Sequence, residues 1–207
     1  MRAVVTGGSG YFGSLLCRQL VAAGHDVVNL DISVVEEPGV QMMAADIRDL
    51  GKVSAALAGA DVVFHNVAQV PLARNAQLFD SVNRQGTAVM LRAAEEMGVA
   101  KVVYTSSSAV FGVPERNPVT DQTPPRPREA YGKAKLDGEL LCRAAVSRGQ
   151  DVTVVRPRTI VGHGRLGIFA ILFDWIADGV DALVFDGGAN RYQFVHAQDL
   201  ARACLLA

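Results

Sequence analysis

Tyr131 and Lys135 stand four residues apart in Tyr131-Gly132-Lys133-Ala134-Lys135, and a Ser106-Ser107-Ser108 run precedes them. Residues i and i+4 share one face of a helix, so a helix through Tyr131 sets a phenol beside an ammonium. A free phenol ionises at about pH 10, too high to accept a proton at neutral pH, but a neighbouring cation favours the phenolate and lowers that value. The pair is a candidate general acid/base. Tyr-x-x-x-Lys is common by chance, and Lys133 between the two reads as a solvated helix charge. The start of the chain, Thr6-Gly7-Gly8-Ser9-Gly10-Tyr11-Phe12-Gly13, changes the odds.

Those glycines fall at positions 7, 10 and 13, after a short apolar run and at the mouth of a helical pattern, which is the context a dinucleotide fingerprint needs. Gly7 permits the tight turn, Gly10 lets the backbone approach a pyrophosphate, and Gly13 lets helix and strand pack closely. Backbone N–H groups of Tyr11, Phe12 and their neighbours at the helix start then receive phosphate. Asp31 closes the second apolar run, where a carboxylate binds the adenosine ribose hydroxyls and repels a 2′-phosphate. Residues 32 to 35 supply no arginine or lysine to offset it, so the reading is NAD(H) rather than NADP(H). Asp46-Ile47 is placed to bracket adenine, with Asp46 as a helix N-cap an equally good explanation.

The elements that must position these residues alternate short apolar runs with amphipathic segments, the pattern of βαβ units around a parallel sheet. Strands are predicted at Ala3–Thr6, Asp26–Leu30, Val40–Ala44, Val62–His65, Val102–Thr105 and Val152–Val155. Helices are predicted at Tyr11–Ala23, Leu50–Leu57, about Asn75 to Met97, and Ala130–Arg148. Between Gly112 and Glu129, five prolines make an irregular loop, of a length that tends to be functional. After Pro157 the rhythm changes: a helix at Ile168–Ile176, a strand at Leu183–Phe185, a turn at Asp186-Gly187-Gly188, and a final helix from Leu200. The fold class is therefore α/β, a Rossmann-type doubly wound parallel sheet. The boundary is placed at 157, with residues 1–157 the NAD-binding domain; that residues 158–207 are the start of a smaller substrate lobe, a partial substrate-binding region, is implied by the resemblance given below.

Composition excludes several classes. With 207 residues, half of them hydrophobic, and a net charge of −1, there is no electrostatic case for nucleic acid or an anionic membrane. No apolar run approaches a membrane span, and the first residues enter the glycine loop without a cleavable signal pattern, so a cytoplasmic setting is expected. Cys17, Cys142 and Cys204 are odd in number and sit in apolar helical patterns; they read as buried thiols, and no metal site is expected.

Taken together the chain resembles the extended short-chain dehydrogenases/reductases, in the NAD-dependent epimerase/dehydratase group, over essentially its whole length. The resemblance is carried by the glycine loop, Asp31, Asp46-Ile47, His65-Asn66-Val67-Ala68, Val82-Asn83-x-x-Gly86-Thr87, Thr105-Ser106-Ser107-Ser108-Ala109-Val110-Phe111-Gly112, Tyr131-x-x-x-Lys135, Arg156-Pro157 and Phe194-Val195-His196-Ala197-x-Asp199-Leu200-Ala201. It implies Tyr131 as acid/base, Lys135 on the nicotinamide ribose and tuning the tyrosine, and Ser107 bonding the reacting oxygen. It also implies Val67 and Ala68 beside the cofactor, Asn83 as a bridge between backbone elements, and Pro157 at the nicotinamide carboxamide. Ser108, His163 and Arg191 are the candidate substrate contacts. For His65 a packing role is favoured over proton transfer, and for His196 a structural hydrogen bond at a strand end.

Three departures shape the activity expected. The tyrosine usual before Gly112 is Phe111. The Asp-Glu pair that follows the catalytic hydroxyl residue in sugar-nucleotide 4,6-dehydratases is Ser108-Ala109, which argues against water elimination. The arginine that many nucleotide-sugar members carry four residues before the Val-His histidine is Tyr192, with Arg191 one place away. The expectation is an NAD-dependent epimerase or dehydrogenase that oxidises a secondary alcohol, of a nucleotide sugar, through a keto intermediate. The alternatives are a 3-beta-hydroxysteroid-type dehydrogenase or a non-catalytic NAD-binding regulatory protein. We expect a homodimer, and an incomplete substrate lobe, because Leu200, Ala203, Cys204 and Leu206 of the last helix need something to pack on.

Overall fold

Six apolar runs pair into one parallel sheet. They are β1 (Arg2–Thr6), β2 (Asp26–Asp31), β3 (Val40–Ala44), β4 (Val62–His65), β5 (Lys101–Thr105) and β6 (Val152–Val155). A computed structural model gives their order as β3-β2-β1-β4-β5-β6. It describes residues 1–68, 80–164, 169–182, 184, 186–189 and 191–207. The inner strands are valine-rich and buried on both faces, as parallel strands covered by helices must be. Strand order reverses between β1 and β4, the switch point at which a doubly wound sheet opens a crevice.

Alternation along each strand divides the core. Val4, Val28 and Val63 pack with Val53 and Leu57 of α2 (Leu50–Leu57), Met90 and Leu91 of α3 (Gly86–Glu96), and Cys142 and Ala145 of α4 (Ala130–Ser147). Ala3, Val5, Val27 and Phe64 face the other way, onto Leu16, Cys17 and Leu20 of α1 (Tyr11–Ala22). Two short strands, β7 (Thr159–Val161) and β8 (Phe194–His196), pair in parallel beyond the main sheet. The apolar α5 (Phe169–Ala177) and the terminal α6 (Ala197–Leu206) complete the described elements.

Most predicted boundaries agree within a residue or two. Differences have local causes. The long helix expected from about Asn75 begins outside the described residues; its described part opens with a wide π turn at Asp80–Gln85 before α3. There the Thr87 hydroxyl donates to the Asn83 carbonyl at 2.7 Å, occupying an acceptor the backbone ladder would use. The final helix starts at Ala197 rather than Leu200 because His196 caps it, Nδ1 accepting from the Gln198 N–H at 3.3 Å. Leu200 and Cys204 do not lack an internal partner, as expected above: with Ala201 they are buried in the α1 face of the core, while Leu206 stays 79% exposed. Ile168, Leu183 and Phe185 lie outside the described residues, so the start of the expected helix and the expected strand there fall with them. The cysteines are free and buried.

Candidate active site

The C-terminal ends of the strands converge on a cleft of about 1000 Å³. At its floor the chain leaves β1 and turns at Gly7, whose φ of 73° is left-handed and suits glycine. Gly10 N–H closes the turn on the Gly7 carbonyl, and α1 begins at the cleft without a side-chain cap at Gly10. A Cβ on Gly13 would lie 2.1 Å from the Gly7 carbonyl oxygen, so only glycine lets helix and loop close this tightly. Asp31 ends β2 beside it, accepting from the backbone N–H of Ser9 (3.1 Å) and of Ser33 (3.0 Å).

Asp46 is not a helix cap. Asp49 is the cap of α2, accepting from Lys52 N–H, while Asp46 takes both the backbone N–H and the guanidinium of Arg48. The hydrogen bonds from Arg48 hold its carboxyl below the usual carboxylate range. Asp46 and Ile47 nevertheless line the cleft, together with Arg48.

The other end of the cleft is built by β5, α4 and the segment after β6. The Ser107 side chain accepts from Ala109 N–H at 3.1 Å and caps a short helical turn, Ser108–Phe111. Helix α4 lies against that turn: a Cβ on Gly132 would meet the Ala109 carbonyl at 2.5 Å, so the glycine beside Tyr131 is what lets the helix approach Ser107. Tyr131 is half-buried and Lys135, one turn on, is 3% exposed. Lys135 Nζ donates to the Thr105 carbonyl at 2.7 Å and lies 5.1 Å from the Tyr104 ring centroid. Burial pushes the Lys135 ammonium down to about 8, with Glu139 acting in the opposite direction.

A buried polar frame supports these groups. Glu139, 1% exposed, accepts from Ser106 Oγ (2.6 Å) and from Arg156 Nε (2.8 Å) and Nη2 (2.6 Å). It thereby joins the residue before Ser107 to the residue before Pro157. His65 is fully buried between Thr6 Oγ1 (Nδ1, 2.7 Å) and Thr87 Oγ1 (Nε2, 3.0 Å). Thr87 gives its hydroxyl proton to the Asn83 carbonyl, so it accepts from His65; Nε2 carries the proton and Nδ1 accepts from Thr6. Burial, and secondarily the Lys135 charge, push His65 down to about 3, leaving it neutral.

Gly7, Gly10, Tyr11, Phe12, Gly13, Asp31, Asp46, Ile47, Val67, Ala68, Ser107, Tyr131, Lys135 and Pro157 all line this one cleft. Ser108, His163 and Arg191 do not. Ser108 meets Arg158 at the edge, His163 is exposed in the turn after β7, and Arg191 is exposed one residue out of step with Tyr192, which does reach the wall. The sequence reading missed Arg48, Arg158 and Asn66 on that wall. Asn66 carries a signal only the structure provides: Oδ1 accepts from Thr105 Oγ1 at 2.6 Å, while Nδ2 is buried without a partner among the described residues. No group of metal-binding side chains occurs among the described residues, and no helix there is long and apolar enough to cross a membrane.

Comparison with known proteins gives this cleft a context. Residues 3–207 match the NAD dependent epimerase/dehydratase family. The chain belongs to that family. It is 31% identical over 229 residues to UDP-glucose 4-epimerase of Mycolicibacterium smegmatis, covering 100% of this chain and 73% of that protein. It is 52% identical over 208 residues to the uncharacterized protein y4nG of Sinorhizobium fredii, covering 99% of this chain but 52% of y4nG, so it spans about half the length of that relative. The crystal structure of the Bordetella bronchiseptica enzyme WbmH in complex with NAD+ superposes with a TM-score of 0.86 at 25% identity, over 99% of this chain and 71% of WbmH. The residues of the cleft fit the dinucleotide such a family binds: an uncapped helix start, a glycine turn that a Cβ would fill, and a carboxylate at the end of β2.

Proposed function

We propose that the protein is an NAD-dependent oxidoreductase that oxidises a secondary alcohol of a nucleotide sugar to a ketone, with epimerisation or ketone release as the outcome. The observation that carries the reading is the joint lining of one cleft by the glycine turn and Asp31 at one end and by Ser107, Tyr131 and Lys135 at the other. NAD supplies the hydride acceptor. Gly7, Gly10 and Gly13 cradle its phosphates, Asp31 takes the adenosine ribose and disfavours a 2′-phosphate, and Pro157 borders the nicotinamide end. Tyr131 removes the hydroxyl proton, Lys135 stabilises the phenolate through its charge, and the Ser107 hydroxyl bonds the substrate oxygen as charge develops on it. Ser108-Ala109 after Ser107 provides no acid/base pair for elimination, so the product differs from substrate by configuration or by two hydrogens.

Residues 158–207 contribute the substrate side of the cleft through Arg158, Thr159, Ile160 and Tyr192. The aromatic cluster of Phe169, Tyr192 and Phe194, which reaches the cleft through Tyr192, favours one second reading, a sterol-like alcohol packed on that ring. A homodimer is the expected assembly, in keeping with exposed Leu140 and Val146 on α4, and light scattering measures it. The deciding assay is NADH formation from UDP-sugars, dTDP-sugars and hydroxysterols with wild type and Tyr131→Phe. The variant loses turnover by roughly 10² or more while still binding NAD+; near-normal turnover removes Tyr131 from the chemistry.

A further inference from the structure

Of the three cations on the cleft wall, Arg48, Lys135 and Arg158, two are already committed; the carboxylates of Asp31, Asp46 and Glu129 share that wall. Arg48 is clasped by Asp46, and the buried Lys135 donates to the Thr105 carbonyl. Arg158 is exposed, and among the described residues no carboxylate lies within ion-pair distance of it. Its guanidinium lies 4.7 Å from the centroid of the Tyr192 ring, and Nη1 makes a single long contact, 3.5 Å, to Ser108 Oγ. The platform under it is fixed. The Tyr192 hydroxyl bonds Thr159 Oγ1 at 2.8 Å, and the ring packs against Phe169 and Phe194. A guanidinium held over a ring by a cation–π contact still has N–H donors to offer, in the fork geometry that matches a carboxylate.

Its place in the cleft says where the partner must be. Arg158 follows Pro157, whose carbonyl accepts from Ser108 N–H at 2.9 Å, and its own side chain meets Ser108, the residue after Ser107. The cation is therefore at the Ser107 end of the cleft wall. We infer that Arg158, seated on Tyr192, selects a substrate that carries a carboxylate a few bonds from the alcohol carbon presented to Tyr131. The inference rests on the oxidoreductase reading above and narrows its substrate to a hydroxy acid. The other source of the same oxyanion chemistry is the diphosphate of a nucleotide sugar, which lies farther from the reacting carbon.

Two matched probe pairs separate these sources. UDP-glucuronate and UDP-glucose share the diphosphate and differ in a carboxylate; 3-hydroxydecanoate and its methyl ester differ in a carboxylate and contain no nucleotide. Binding to the NAD+-saturated protein is measured by calorimetry for wild type, Arg158→Lys and Arg158→Met. In at least one pair, wild type binds the acid about tenfold or more tightly than its neutral partner. Met removes the preference, Lys retains part of it, and NAD+ affinity is unchanged. The inference is overturned if wild type shows no acid preference in either pair, including by binding neither. It is also overturned if Met weakens both UDP-sugars equally, which assigns Arg158 to the diphosphate, or if Met weakens NAD+, which assigns it to the cofactor. Failure of the nucleotide-sugar reading looks different: the UDP pair does not bind, while the hydroxydecanoate pair still reports the preference. Failure of the oxidoreductase reading appears as binding without NADH formation from any probe.

Discussion

Replacing Glu139 with glutamine tests the buried frame that holds the proposed catalytic end together. The carboxylate receives three donors, two from Arg156 and one from Ser106, and is 1% exposed. Glutamine keeps one acceptor oxygen and turns the other into an NH₂ group that faces a donor. One charge-assisted hydrogen bond is lost, each worth about 1.5–3 kcal/mol. Breaking a fully buried ion pair costs about 3–5 kcal/mol, but the Arg156 side chain is 32% exposed and recovers water, so the lower figure applies. The expected loss is about 2 kcal/mol, which for a chain of this size lowers Tm by roughly 4–8 °C. Urea unfolding of wild type, Glu139→Gln, Arg156→Met and the double variant measures it, with a coupling energy of about 1.5 kcal/mol or more. A second effect follows from charge. Glu139 raises the proton affinity of Lys135, so in the variant Lys135 loses its proton at lower pH and the alkaline limb of kcat moves down. Wild-type unfolding in Glu139→Gln, or strictly additive single variants, would refute the frame.

Two further outcomes are expected. His65 is neutral in the fold at about 3 against an ordinary value of about 6.5, so its contribution is complete above pH 6.5 and is lost as pH falls toward 3; between pH 7 and 5 this amounts to about 2 kcal/mol. Urea unfolding at the two pH values should show that extra slope in wild type and not in His65→Gln, and equal slopes would reject the neutral, buried assignment. Asp31 should give NAD(H) a preference of at least roughly tenfold over NADP(H), about 1.4 kcal/mol. Asp31→Asn should narrow that ratio in calorimetry, and equal affinities in wild type would remove the role.

The sheet was legible because parallel strands buried on both faces must be continuous apolar runs, and β1, β2, β4 and β5 are such runs bounded by glycine, aspartate or serine. The convergence of the predicted cofactor and catalytic residues follows from the same fact: each sits at or just beyond the C-terminal end of a strand, or at the helix start that follows, and a doubly wound sheet brings those ends together. What stayed hidden depends on partners distant in sequence. Strand β7 has three residues and no usable periodicity; it exists because Ile160 finds Val195 thirty-five positions on. Asp46 is a plausible cap on paper, and only the turn geometry hands Arg48 to it and the Lys52 N–H to Asp49. Arg158 carries no motif; its meaning comes from Tyr192 beneath it. Leu200 and Cys204 looked unpartnered because α1, which covers them, lies at the other end of the chain.

At the proposed catalytic end the charges of Lys135, Glu139 and Arg156 form an alternating series, running from the buried wall of the cleft toward solvent. A lone buried ammonium would be driven to its neutral form by desolvation. Glu139, one helical turn on, counters that drive, and Arg156 in turn satisfies Glu139. The result is a lysine held near the point at which it keeps its proton at neutral pH, beside the half-buried Tyr131. The same cation acts on His65 across the β5 strand end, adding to burial and holding the imidazole neutral with both ring nitrogens already engaged by threonines. A histidine so placed has neither a free nitrogen nor an accessible proton change above about pH 3. Burying one cation here therefore excludes a second, and the proposed proton transfer is left to the tyrosine that the lysine serves.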